Sequence, residues 1–274
     1  MSGPLDGAAP LGVFDSGLGG LTVVRALRLA LPFENIVYLG DTARVPYGTR
    51  APGTVVRYAQ ACAQHLVGRG VKAIVIACNT VSAVAPERLR IDLDRPVLGV
   101  IEPGARAAVA ASKTGRIGVL ATAGTIASGA YARAVTNLST RSEVTGQAAP
   151  LLVPLAEEGW LEGEVPRLAV RRYLEPLARA RVDVVVLGCT HYPLLRGTIE
   201  SEARALIDKD VAVVDSASTM ADEVRGFLDA RQLHRVSSVR GRVKLLVTDM
   251  PKAFGDMAAR FLGEDVQDVE AIDL

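Results

Sequence analysis

Two short stretches of this chain hold residue types that can do chemistry, and they are written alike. The first is Ile76-Ala77-Cys78-Asn79-Thr80 and the second is Leu187-Gly188-Cys189-Thr190-His191. Each follows an apolar, β-branched run, Val71 to Ile76 and Val182 to Leu187, and each leads into a segment with helical patterning. Both therefore set a cysteine and hydrogen-bonding side chains where a buried parallel strand ends, and ligands of open α/β sheets bind beyond those carboxyl ends. Two thiols presented alike suggest one site, with a sulfur on either side of a small molecule.

Four chemistries compete for these residues. A metal centre would have Cys78, Cys189 and His191 as ligands, but there is no C-x-x-C and no second nearby histidine. A redox pair would want a resolving partner. A lone nucleophile would be Cys189 with His191, which leaves Cys78 unexplained. Two acid/base thiols would invert a hydrogen-bearing stereocentre, one removing a proton from one face and the other returning one to the opposite face. A thiol with an ordinary pKa of about 8.5 is suited to both tasks. Asp15 and His191 would then assist one cysteine each, and Asn79, Thr80, Thr190, Ser16 and loop amides would stabilise the developing carbanion. Bland readings stand beside these. Asp15, Ser16, Thr80 and Thr190 suit helix caps. Cys62, between alanines, suits a small core residue, and His65 an ordinary helix residue. Glu157 and Glu158 read as solvated surface on composition alone.

The elements that must position these residues alternate. Strands are expected at Leu11–Phe14, Ile36–Leu39, Val71–Ala77, Val97–Ile101, Arg116–Ala121, Val182–Leu187, Val211–Val214 and Val243–Val247. Helices are expected near Leu21–Leu31, Thr54–Gly68, Val81–Arg90, Glu102–Ser112, Val165–Ala180, Leu194–Ile207, Ala217–Leu228 and Lys252–Leu262. Repeated βα units mean parallel, doubly wound sheets. Gly12-Val13-Phe14-Asp15-Ser16-Gly17 is echoed by Gly118-Val119-Leu120-Ala121-Thr122-Ala123, at a similar distance before the second cysteine, so two related halves are expected.

Composition narrows the class. The 274 residues are 49% hydrophobic and 22% charged with a net charge of +1, which gives no electrostatic footprint for nucleic acid or an anionic membrane. Three cysteines argue against a disulfide framework, and free thiols fit a reducing, cytoplasmic setting. No apolar run approaches the roughly 18 residues of a membrane span, and the first ten residues do not read as a signal peptide. The Gly17-Leu18-Gly19-Gly20-Leu21-Thr22 turn lacks the third glycine of a dinucleotide fingerprint, and the acidic Asp15 opens it. There is no P-loop, and the five lysines (Lys72, Lys113, Lys209, Lys244 and Lys252) read as surface or loop positions.

Four motifs in order, Asp15-Ser16-Gly17-Leu18-Gly19-Gly20-Leu21-Thr22-Val23, Gly40-Asp41-Thr42-Ala43-Arg44-Val45-Pro46-Tyr47-Gly48, Ala77-Cys78-Asn79-Thr80 and Leu187-Gly188-Cys189-Thr190-His191-Tyr192-Pro193-Leu194-Leu195, resemble the glutamate racemases of the aspartate/glutamate racemase family. The resemblance spans residues 10 to 262. It implies two similar parallel-sheet α/β domains with the active site in the cleft between them. It places the first domain at 1–96 plus 210–274 and the second at 97–209. It implies cofactor-independent interconversion of L- and D-glutamate, with no metal, and a role in making D-glutamate for peptidoglycan. Cys78 and Cys189 resemble the two catalytic cysteines, Asp15 and His191 their helpers, and Glu157 a further acid near the second cysteine. Asp15, Ser16, Tyr47, Gly48, Asn79, Thr80, Thr190 and His191 resemble the substrate-binding set, with Thr122 and Thr125 as additions. Glutamate is the implied partner, with no membrane or nucleic acid, and a homodimer is compatible with the family. Aspartate racemase, a binding protein on the same fold and a thiol hydrolase are the alternatives.

Overall fold

The βα alternation closes into two parallel sheets. A computed structural model describes residues 5–249, 254–266 and 268–274. Among them are ten strands: β1 (Leu11–Asp15), β2 (Ile36–Gly40), β3 (Ala73–Ile76), β4 (Val97–Gly99), β5 (Arg116–Ala121), β6 (Glu143–Ala148), β7 (Val184–Gly188), β8 (Ala212–Asp215), β9 (Val243–Val247) and β10 (Val269–Ala271). The first sheet runs β10-β9-β2-β1-β3-β4 and the second β6-β5-β7-β8, with every pair parallel. The order β2-β1-β3-β4 in one sheet matches β6-β5-β7-β8 in the other, so the duplication suggested by the sequence is present as topology. The fold is two α/β domains. Their central strands are fully buried apolar runs, as strands covered by helices on both faces must be.

The cysteines end corresponding strands. Ile76 of β3 pairs with Phe14 of β1, and Cys78 follows two residues later. Gly188 of β7 pairs with Ala121 of β5, and Cys189 follows at once. The expected boundaries at 97 and 210 assign two strands to the wrong sheets. β4 stays in the first sheet because Ile74 pairs with Val97, and β8 joins the second because Val184 pairs with Ala212. The chain crosses in the helices beyond them. Ile101–Ala111 packs on the second sheet, and Ser216–Arg231 returns against the Leu21–Ala30 helix.

Other expectations are adjusted by local chemistry. The helix expected from Thr54 begins at Pro52, whose fixed φ suits the first turn. The strands β6 and β10 were not expected. β6 has no fully buried position at the edge of its sheet, and β10 is three residues long. The closing helix is described from Phe254 to Leu262, and its expected start at Lys252 lies outside the described residues. No described helix is long and apolar enough to cross a membrane.

Lys72 is not at the surface. It is 1% exposed at the base of β3, with Glu34 buried beside it. Its Nζ donates to Glu34 Oε2 at 2.6 Å, Leu233 O at 2.7 Å and Gly7 O at 2.8 Å, which uses all three ammonium protons. Burial lowers its pKa and the Glu34 hydrogen bond opposes that. This cation pins the chain before β1, the turn before β2 and the end of the Ser216–Arg231 helix at the pole away from the cysteines. Removing one partner of a buried pair costs about 3–5 kcal/mol. Lys72→Met is therefore expected to lose stability of that order in urea denaturation, and a loss under about 1 kcal/mol would refute the anchoring role.

Candidate active site

The carboxyl ends of the two sheets face each other across a cleft, and a cavity of about 380 Å³ lies between them. Ser16, Tyr47, Gly48, Cys78, Asn79 and Thr80 line it from the first domain, and Thr122, Glu157, Cys189, Thr190 and His191 from the second. Asp15 and Thr125 do not line it. Both are buried directly behind its wall. An apolar rim of Val45, Pro46, Pro150, Val153 and Pro154 was not found from the sequence. Pro150 follows β6, so missing that strand also hid the loop after it.

Cys189 has a polar relay behind it. His191 Nδ1 lies 3.8 Å from its sulfur, and His191 Nε2 lies 3.0 Å from Glu157 Oε1. The ring of Phe261 meets the imidazole edge-on at 5.1 Å, and Arg260 donates to the Glu157 carbonyl. The closing helix thus braces the relay from the first domain. Burial pulls the His191 pKa down. Hydrogen bonds and charge from Cys189 and Glu157 outweigh it and carry it up to about 10. Glu157 is 47% exposed at its side chain, so the surface reading of it is half right, yet it orients the ring.

Cys78 sits in a different field. Its sulfur is 3.7 Å from Ser16 Oγ, and burial, then the nearby Asp15 charge, push its pKa up to about 12. It is a thiol at neutral pH. Asp15 makes no hydrogen bond to Cys78. Its Oδ2 accepts from the Gly17 N–H at 3.1 Å, and the Thr190 hydroxyl reaches Oδ1 at 3.5 Å. Burial raises the Asp15 pKa, opposed by His191 and by backbone N–H groups of the turn. All three cysteines are free, and Cys62 is a buried core residue away from the cavity.

Hydrogen bonds from one domain to the other close the base of the cleft. Thr80 Oγ1 lies 2.9 Å from Thr122 Oγ1 and 3.3 Å from Thr125 Oγ1. Thr122 also caps the Ala123–Ser128 helix, so its capping and site roles coincide. The Tyr131 hydroxyl donates to Asn79 Oδ1 at 2.7 Å, and Asn79 Nδ2 donates to Ser216 at 3.2 Å, which leaves one amide hydrogen for a ligand. Thr22 Oγ1 donates to the Thr190 carbonyl at 2.9 Å. The glycine turn is there for close approach. A Cβ on Gly19 would stand 2.4 Å from Thr190 Oγ1 and 2.5 Å from the His191 ring.

The cleft can therefore hold a small, polar molecule between two thiols, with hydroxyls and amides around it. Residues 20–224 match the Asp/Glu/hydantoin racemase family. The glutamate racemase of Geobacter metallireducens is 49% identical over 264 residues, 96% of each chain. Among solved structures, the glutamate racemase of Thermus thermophilus in complex with β-chloro-D-alanine superposes with a TM-score of 0.87 at 44% identity, covering 98% of both chains. That of Francisella tularensis in complex with D-glutamate does so with a TM-score of 0.89 at 35% identity, covering 97% of this chain and 98% of its own. The chain belongs to the Asp/Glu/hydantoin racemase family, among its glutamate racemases.

Proposed function

We propose that this chain interconverts L- and D-glutamate by moving protons through two thiols, with side chains alone as the acid/base groups. The observation that supports this most is a single one. Cys78 and Cys189 end corresponding strands in opposite domains and line the same cavity, each with its own electrostatic partner.

The resting protonation follows from those partners. His191 is an imidazolium below about pH 10, and its Nδ1 stands 3.8 Å from the Cys189 sulfur. Cys78 keeps its proton. The Cys189 thiolate takes the Cα proton of the enantiomer that faces it, and the Cα–H electron pair becomes a carbanion delocalised into the α-carboxylate. The Cys78 thiol then gives its proton to the opposite face. Cys189 ends as thiol and Cys78 as thiolate, which is the starting state for the reverse reaction. Exchange with solvent resets it. Asn79, Thr80, Thr122, Thr190 and the Ser16 hydroxyl supply donors to the two substrate carboxylates, and Tyr47 and Gly48 close the same wall. Asp15 acts from behind, through the turn it organises and the charge it sets beside Cys78.

We further infer a cytoplasmic enzyme that supplies D-glutamate for peptidoglycan, with glutamate as its small-molecule partner. Free thiols fit a reducing compartment, and a homodimer is compatible with this reading.

Single-cysteine variants separate this mechanism from one nucleophile. Cys78→Ala is expected to lose racemisation by about 10³-fold, within the usual span for a general acid/base group. Its Cys189 should still exchange the Cα hydrogen of one enantiomer with deuterated water. Optical rotation and proton NMR on the same sample read both, and near-normal turnover by this variant would sink the two-thiol mechanism. Activity should also depend on the His191 proton. A raised pKa means that the active, charged form is present below about pH 10 and lost above it. The enantiomers are equal in energy, so kcat/KM must match in both directions and should fall together as pH rises through that value. His191→Ala should remove this limb, and a wild-type profile flat to pH 11 would contradict the role given to the imidazole.

A further inference from the structure

Asp41 is the most enclosed carboxylate outside the relay, with no exposed surface, and the two-thiol chemistry does not use it. It stands immediately after β2 and its backbone N–H donates to the Asp15 carbonyl at 3.1 Å. Its side chain serves three hydroxyl or guanidinium groups. Oδ2 accepts from Arg44 Nε at 2.6 Å and from the Tyr47 hydroxyl, and Oδ1 accepts from the Thr248 hydroxyl at 2.9 Å. Arg44 lies over the Tyr58 ring at 4.4 Å, and that ring is 5.3 Å from Tyr47. One carboxylate thus holds the entry and the middle of the loop that runs along the cavity from Val45 to Thr49, and ties it to the loop after β9.

The Tyr47 hydroxyl stays protonated, because burial and the surrounding negative groups raise its pKa far above neutrality. Its single proton is committed to Asp41, so it has none to offer a substrate carboxylate. What the loop can offer is backbone. Among the described residues, neither the Tyr47 nor the Gly48 N–H donates to a protein acceptor. The Gly48 carbonyl accepts from Gly124 N at 2.9 Å, which fixes the peptide's direction against the second domain.

We propose that Asp41 is a positioning residue for substrate binding: it consumes the Tyr47 hydroxyl and fixes the loop so that unpaired Tyr47 and Gly48 amides meet a substrate carboxylate. The inference rests on the reading of the cleft as a glutamate site. It predicts an effect on KM, since Asp41 does not line the cavity and the carboxylate contact is made in ground state and transition state alike.

The test is a double-variant cycle on the full-length enzyme. Initial rates are measured with L- and D-glutamate for the wild type, Asp41→Ala, Asp41→Asn, Tyr47→Phe and Asp41→Ala with Tyr47→Phe, together with the Tm of each. Asp41→Ala should raise KM about tenfold or more for both enantiomers, with kcat within about threefold. Asp41→Asn keeps an acceptor and should recover part of the loss. Adding Tyr47→Phe to Asp41→Ala should cost nothing further, because the hydroxyl works only through Asp41. Additive losses would show that the hydroxyl meets substrate directly and would overturn the proposal. So would a fall in kcat equal to the rise in KM, or a lowered Tm with KM unchanged. If the wild type neither binds glutamate in calorimetry nor exchanges its Cα hydrogen, the reading of the cleft fails and the proposal falls with it. A normal wild type with an indifferent Asp41→Ala refutes the proposal alone.

Discussion

The constraint on which the rest depends is that polar groups buried at the base of the cleft find their partners in the other domain. A buried donor or acceptor left unpaired costs about 1–3 kcal/mol, and here Asn79, Thr80 and Thr190 are all buried where two sheets end. Asn79 is satisfied by Tyr131, Thr80 by Thr122 and Thr125, and the Thr190 carbonyl by Thr22. Each bond works only if the two sheets stand at one separation. That separation is small enough for Gly19 to touch the His191 ring, with no room for a Cβ. The seam therefore sets the width of the cavity, and with it the separation of the two thiols that line it.

The two halves repeat a topology but not an electrostatic environment. Thr80 occupies the place in the first motif that His191 holds in the second, and Ala121 stands where Asp15 stands. One sulfur therefore faces an imidazole backed by Glu157, the other a carboxylate and apolar walls. With its pKa near 12, holding Cys78 as a thiolate at neutral pH in the empty cleft would cost on the order of 7 kcal/mol. In the proposed reaction both charge states must occur in turn.

What was legible in the sequence was whatever is local. The strand ends carrying Cys78 and Cys189 follow apolar runs, and the runs, the cysteines and their neighbours are contiguous. β6 was missed because an edge strand exposes one side, so Glu143 to Ala148 carries no apolar run. The division between domains was misplaced by a strand at each crossing, because β4 and β8 are assigned by pairing partners, and pairing is not written in composition. Lys72 read as surface since nothing near it in sequence reveals Glu34 or the Leu233 carbonyl. Asp41 and Tyr131 belong to the same class, as residues whose meaning lies in partners brought by the fold. Glu157 shows the limit from the other side. Its exposure is real, and only its distance to His191 distinguishes it from its neighbour Glu158.

The glycine turn after β1 shows how one local geometry is diverted from its commonest use. A strand, a glycine-rich turn and a helix N-terminus leave backbone N–H groups free, and an anion normally takes them. Here the anion is covalently part of the chain. Asp15 turns back and accepts the Gly17 N–H, with further help from the Ser16 and Gly20 amides, and no side chain caps the helix that follows. Asp15 thus takes donors that a phosphate at this turn would need. Those same amides oppose the burial that raises the Asp15 pKa, and the carboxyl group stands one layer behind Cys78 without occupying the cavity. The acidic residue that argued against a nucleotide in the sequence is thus the group that occupies the nucleotide's hydrogen bonds, and the space saved by Gly19 goes to His191.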